Sequence, residues 1–233
     1  MRAMPASRRR FPRRHRGLSM IELLVGTAVG LLVVAAGTTA VVQQARENRA
    51  VQVEARLMQD LRIAADVVAR DLRRAGYWAE AASGVRGDDG SVALANPYGA
   101  ISPALAASDA VRLSFSRDAS ENGVVDANER FGFRLRNAAV ELQLGDGNWQ
   151  ALTDPATLAV TTFSVAPELE ETILERFCPA PCVAGSASCP PRQQVRRFAI
   201  EIGGRSARDP SVQRSVETAV RLHNGSVIGA CDA

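Results

Sequence analysis

The sequence predicts an α+β fold, with one long N-terminal helix packed on an antiparallel β-sheet. Three observations carry that prediction. Leu18–Val42 is a run of 25 residues in which Glu22 alone is charged. No proline interrupts the chain from Leu18 to Ala75, so a helix begun in this run meets no obligate break before Gly76. Beyond residue 109, apolar and polar residues alternate in short stretches bounded by turn-forming residues, the period of strands.

The first half of the helix is long enough to cross a membrane. At ~1.5 Å per residue, such a run spans a hydrocarbon layer ~30 Å thick. A secretory signal has a shorter apolar core and a small-residue cleavage site. A carboxylate within a span costs roughly 2.5 kcal/mol or more at the helix centre and less near an end. Glu22 therefore calls for a cationic partner. Gly26 and Gly30 form a small-xxx-small pair that lets helices approach closely. Beyond Val42 the pattern turns amphipathic. Leu57, Leu61, Ala64, Val68 and Leu72 recur at three- and four-residue spacing and define one apolar stripe. Arg73 and Arg74 suit a helix C-terminus, and Gly76 suits the left-handed cap.

From Tyr77 to Asp109 no period persists, and Gly84, Gly87, Asp88-Asp89-Gly90 and Asn96-Pro97 mark turns in a long surface loop. Strands follow. Val111, Leu113 and Phe115 alternate with polar residues, as do Phe131, Phe133 and Leu135, then Val140, Leu142 and Leu144. Asp146-Gly147 turns the last of these back toward Trp149 and Leu152. Leu158–Val165, Phe198–Ile202 and Val212–Leu222 complete the set. Short connections favour antiparallel pairing, and one apolar sheet face is expected to cover the helix stripe.

The segment Pro167–Pro191 reads as a loop, acidic at first and then rich in proline and cysteine. Cys178, Cys182, Cys189 and Cys231 all fall in the last quarter of the chain, and stapling by disulfides is expected rather than a zinc site. Four cysteines allow three pairings; proximity favours Cys178–Cys182 with Cys189–Cys231.

One further motif stands out. Asp118–Glu129 matches a twelve-residue calcium loop: Asp118, Ser120 and Asn122 at positions 1, 3 and 5, the Val124 carbonyl at 7, Asp126 at 9 and Glu129 at 12. Gly123 makes the turn at position 6. Strands flank it, so the expectation is a Ca²⁺ site outside any EF-hand; the competing reading is a polar hairpin.

Charge bounds the function classes. The net +3 comes from residues 1–17, which hold seven arginines and no acid; the remainder carries 21 arginines against 25 acids, or −4. Nucleic-acid binding is therefore not expected. Positive charge beside the first span stays cytoplasmic, which places everything after Val42 outside the inner membrane. His223 is the only histidine beyond residue 15, and no nucleophile elbow, phosphate loop or dinucleotide fingerprint is present. No catalytic residues are assigned, and an enzyme is not expected.

Gly17-Leu18-Ser19-Met20-Ile21-Glu22, an arginine-rich head before it and an apolar run after it, resembles the leader of type IV prepilins and pseudopilins. The resemblance implies removal of residues 1–17 by prepilin peptidase, with cleavage after Gly17 and methylation of Leu18. Leu18 stands where phenylalanine or methionine is commoner. Glu22, fifth in the mature chain, is implied to pair with a neighbouring subunit's terminal amine during assembly. Ala69–Tyr77 resembles the corresponding segment of PilW-type minor pilins. The implied organisation is a leader (1–17), a long helix (18–76, with 18–42 in the inner membrane) and a periplasmic or extracellular β-rich head (77–233). The implied partners are prepilin peptidase, other minor pilins and the major pilin. A minor pseudopilin of a type II secretion system is the alternative, and a membrane-anchored calcium-binding adhesin or enzyme a third.

Overall fold

The computed structural model describes residues 17, 19–84, 93–117 and 120–232. Leu18, the Gly87–Gly90 turns and Asp118 lie outside the described residues. The expected α+β layout holds. Helix α1 spans Met20–Arg74, and the chain divides into two compact units, Met1–Ala50 and Val51–Ala233. In the first unit α1 is exposed on every side, with Leu24, Leu31 and Val33 among its uncovered side chains. It is the one described helix long and apolar enough to cross a membrane, compatible with single-pass anchoring.

In the second unit the predicted stripe is buried. Leu57, Leu61, Ala64, Val68 and Leu72 are at most 3% exposed, joined by Ala65 and Ala69. Gly76 adopts φ +73°, the left-handed conformation expected of the residue that ends a helix. Its N–H donates to the Ser114 carbonyl at 2.9 Å. The last carbonyls of the helix end are claimed from afar: Asn224 Nδ2 donates to Ala75 O at 3.0 Å and Asn96 Nδ2 to Gly76 O at 2.8 Å.

The expectation of one sheet is corrected to two, each of four strands. The first comprises β1 (Ala110–Ser114), β2 (Arg130–Arg136), β3 (Ala139–Leu144) and β4 (Trp149–Ala151), antiparallel in that order. The second pairs β5 (Leu158–Ile173) with β6 (Arg192–Ser206), then β6 with β7 (Gln213–Arg221); β8 (Ser226–Ile228) pairs the start of β6. The sheets separate where β4 ends. Leu152 and Thr153 N–H still donate to Val140 O of β3 at 2.8 and 3.3 Å. Residues 154–157 then lead into β5, which ladders with β6 from Leu158 opposite Ser206 and keeps one bond to the β2–β3 turn, Val160 N–H to Ala138 O at 2.8 Å. Alternation along a strand records which face is buried, not which strand lies alongside. Both sheets contribute to one core with α1, through Val111, Phe133 and Val140 on one side and Phe163, Phe198, Ile200 and Ile202 on the other.

The Pro167–Pro191 loop is likewise corrected. Its first seven residues continue β5, in register with Arg192–Phe198 of β6. Pro167 is tolerated because β5 is an edge strand, where a missing N–H breaks no ladder bond. Glu170 and Glu171, expected in a loop, are strand residues facing Arg197 at 3.8 Å and Arg192 at 4.0 Å.

Candidate functional site

Three candidate regions were read from the sequence, and each has a distinct structure. At the N-terminus, Gly17 is exposed and Glu22 lies exposed in the first turn of α1. Leu23 N–H already donates to Ser19 O at 3.1 Å, so helical bonding starts within six residues of Gly17. Glu22 sits among exposed apolar residues, Ile21, Leu23, Leu24 and Val25.

The cysteine region is stapled as expected, but the pairing is corrected. Cys178 bonds Cys231, and Cys182 bonds Cys189. The Sγ atoms of Cys178, Cys182 and Cys189 lie within 4.8 Å of one another, so distance along the chain could not choose between pairings. The C-terminal stretch decides it. β8 aligns with Arg192–Gln194, and Ala230 N–H donates to Ser188 O at 3.0 Å. Asp232 accepts from Val183 N–H at 2.8 Å and Ser186 Oγ at 2.9 Å. These bonds set Cys231 beside Cys178.

The loop between β1 and β2 is the most constructed of the three. A single 3₁₀ turn, Ala127–Glu129, ends it. Glu129 is fully buried, an unusual place for a carboxylate. Its oxygens are met by three donors: Arg117 N–H to Oε1 at 2.7 Å, and Asp126 N–H and the Tyr98 hydroxyl to Oε2, each at 3.0 Å. The bond from Asp126 is the reciprocal half of a capping box, which fixes the start of the turn.

Of the predicted ligands, Ser120 and Asn122 are exposed. Asn122 Oδ1 accepts Val124 N–H at 2.7 Å, and its amide donates to Asp126 Oδ2 at 2.8 Å. Among the described ligands, Glu129 and the Val124 carbonyl reach the Tyr98 hydroxyl, at 3.0 and 3.4 Å. Two residues that the motif did not single out join them. Tyr98, fully buried, donates its one hydroxyl proton toward Glu121 Oε1 at 2.9 Å as well as toward Glu129. Burial first, and then the hydrogen bonds to Glu121 and Glu129, push the Tyr98 phenol well above its ordinary pKa. Glu121 is subject to opposing effects. Partial burial raises its pKa most strongly, but donors from Ser116, Gly123 N–H, Tyr98 and Ala79 N–H together hold it below the ordinary value. Among these donors the buried Ser116 hydroxyl has the largest effect on Glu121. Nothing in the spacing of residues 118–129 pointed to Tyr98, which enters from the long loop twenty residues upstream.

The model of the family described as Prepilin peptidase-dependent protein B matches residues 50–222, which covers the whole helix stripe and β1–β7. No curated protein and no solved structure matches the chain.

Proposed function

We propose that this chain, which belongs to the Prepilin peptidase-dependent protein B family, is a minor pilin of the PilW kind that helps initiate or tip a type IV pilus. The observation that carries the reading is a family match over 50–222 on a chain that opens with Gly17, Glu22 and an exposed apolar helix. Arginines 2–16 hold the leader on the cytoplasmic side, where prepilin peptidase cuts after Gly17. The head then lies on the far side of the inner membrane, where disulfides persist. Withdrawn from lipid into a filament core, the apolar half of α1 keeps a nonpolar environment. An unpaired charge there is strongly unfavourable, so Glu22 and the free terminal amine of an adjacent subunit neutralise one another. The role is structural, and no catalytic step is assigned.

Co-purification from membrane extracts, with the native chain and Glu22→Ala compared, tests the reading. The native chain is expected to bring down other minor pilins and the major pilin. The variant should insert in the membrane but lose that association. Association with secretion pseudopilins instead would move the chain to the alternative assembly. Solitary behaviour of the native chain would remove the pilin role.

A further inference from the structure

We propose that the outer face of the sheet formed by β5, β6 and β7 is a self-complementary surface that binds a second copy of this chain. The contact adds to the filament role proposed above and does not rest on it.

Phe198, Ile200 and Ile202 of β6 face the core, so the residues alternating with them lie on the opposite face. Three rows cross that face. Arg197 stands between Glu168 of β5 and Arg221 of β7, Ala199 between Ala166 and Ala219, and Glu201 between Ser164 and Glu217. Successive rows lie ~6.7 Å apart along the strands. Arg197–Arg221 and Glu201–Glu217 are therefore like-charged pairs in directly facing positions, an arrangement that destabilises a sheet. Relief within the head is slight. Among the described residues no ion pair engages Arg221, Glu201 or Glu217. Arg197 reaches Glu170 at 3.8 Å, but both side chains are more than half exposed, where such a pair contributes little. Between the two charged rows the alanines line a shallow hollow of about 400 Å³.

This pattern is matched by its own copy. A twofold axis lying in the plane of the face, along the alanine row, sets each strand over the same strand of the second copy, running the opposite way. Arg197 then meets Glu201 of that copy, Arg221 meets Glu217, Glu168 meets Ser164, and the alanines meet alanines. Each like-charged pair is thus answered by the opposite pair, and the short alanine side chains let the faces approach. An axis along the strands would instead lay Arg197 on Arg197 and Glu201 on Glu201, so charge selects the orientation. Packed sheets cross at about 30°, an offset that long arginine and glutamate side chains can span. Because the same patch serves both partners, the contact closes at a dimer.

Sedimentation velocity of the full-length chain in detergent, over a range of concentrations, tests the contact. The native chain should form a dimer that weakens as sodium chloride is raised, because salt screens exposed charges. Glu201→Arg with Glu217→Arg makes the face basic, and Arg197→Glu with Arg221→Glu makes it acidic. Each double variant should self-associate about tenfold or more weakly, since like charge then meets like. Mixing the two should restore a dimer near native affinity, a result that misfolding of either cannot produce. Glu201→Gln with Glu217→Gln, which keeps shape, should lose most of the salt dependence. A native chain that stays monomeric overturns the proposal. So does a dimer indifferent to both charge reversals, or one that mixing fails to restore.

Discussion

Leu61 lies in the middle of the stripe by which α1 joins the head, and none of its surface is exposed. Two positions along the same helix, Ile63 is 52% exposed. The pair offers an internal control, because both changes to alanine remove three side-chain carbons and both slightly favour helix propensity. For Leu61 the lost transfer energy is about 1.5–3 kcal/mol. The vacated space adds a cavity term, since the surrounding residues come from a helix and two sheets and cannot all close in. Leu61→Ala should therefore cost about 3–4 kcal/mol, within the usual span for buried leucine. For a domain of this size that lowers Tm by roughly 6–16 °C. Ile63→Ala, already largely hydrated, should cost under about 1 kcal/mol. Urea unfolding of a soluble fragment covering residues 51–233, monitored by circular dichroism, measures both. Equal losses, or a larger loss at Ile63, would refute the assignment of the buried face and with it the seating of the sheets on α1.

Other expectations concern the sheets and staples. Gly132→Ala would set a Cβ 2.7 Å from the Val111 carbonyl oxygen, in the middle of the β1–β2 ladder, so it should destabilise the head by about 1–3 kcal/mol in the same urea assay. Peptide mapping without reduction should recover Cys178 linked to Cys231 and Cys182 to Cys189. On loop-closure entropy the first, with a separation of 53 residues, stabilises by about 4 kcal/mol and the second, with a separation of 7, by about 2.5; Cys231→Ser should accordingly lower Tm more than Cys189→Ser. Asn224→Ala strips a donor from the Ala75 carbonyl and should cost about 0.5–1.5 kcal/mol. Arg214→Ala breaks the pair with Glu54 at 2.7 Å, but both side chains are near half exposed, and a change of at most ~1 kcal/mol is expected.

The elements that sequence reasoning recovered are those whose periodicity matches one buried face. The stripe from Leu57 to Leu72 and the alternation of Phe131, Phe133 and Leu135 are direct imprints of the core. The outer half of β5 is invisible by that criterion because it leaves the core. Leu169 and Ile173 are 54% and 62% exposed, so no face is buried and no alternation is selected. Its existence depends on cross-strand bonds to β6, which composition does not record. The division into two sheets escaped for a related reason: it is decided where residues 154–157 leave β3 after the Thr153 bonds to Val140, not by any strand's own pattern. At the candidate site, Glu129 was legible from its place at the end of a polar turn-rich loop. Tyr98 and Asn96 were not, since they act across the fold from a segment without periodicity. The disulfide pairing was set by Asp232 and β8 at the far end of the chain, beyond the reach of an argument from spacing.

The account as a whole depends on what becomes of Gly17. Intact-mass analysis of the chain extracted from native membranes, beside Gly17→Val, measures it directly. The mature native chain should lack residues 1–17, begin at Leu18 and carry one added methyl group, and the variant should keep its full leader. A native chain that retains the leader, or one that starts anywhere other than Leu18, would contradict the proposed maturation and the filament role built upon it.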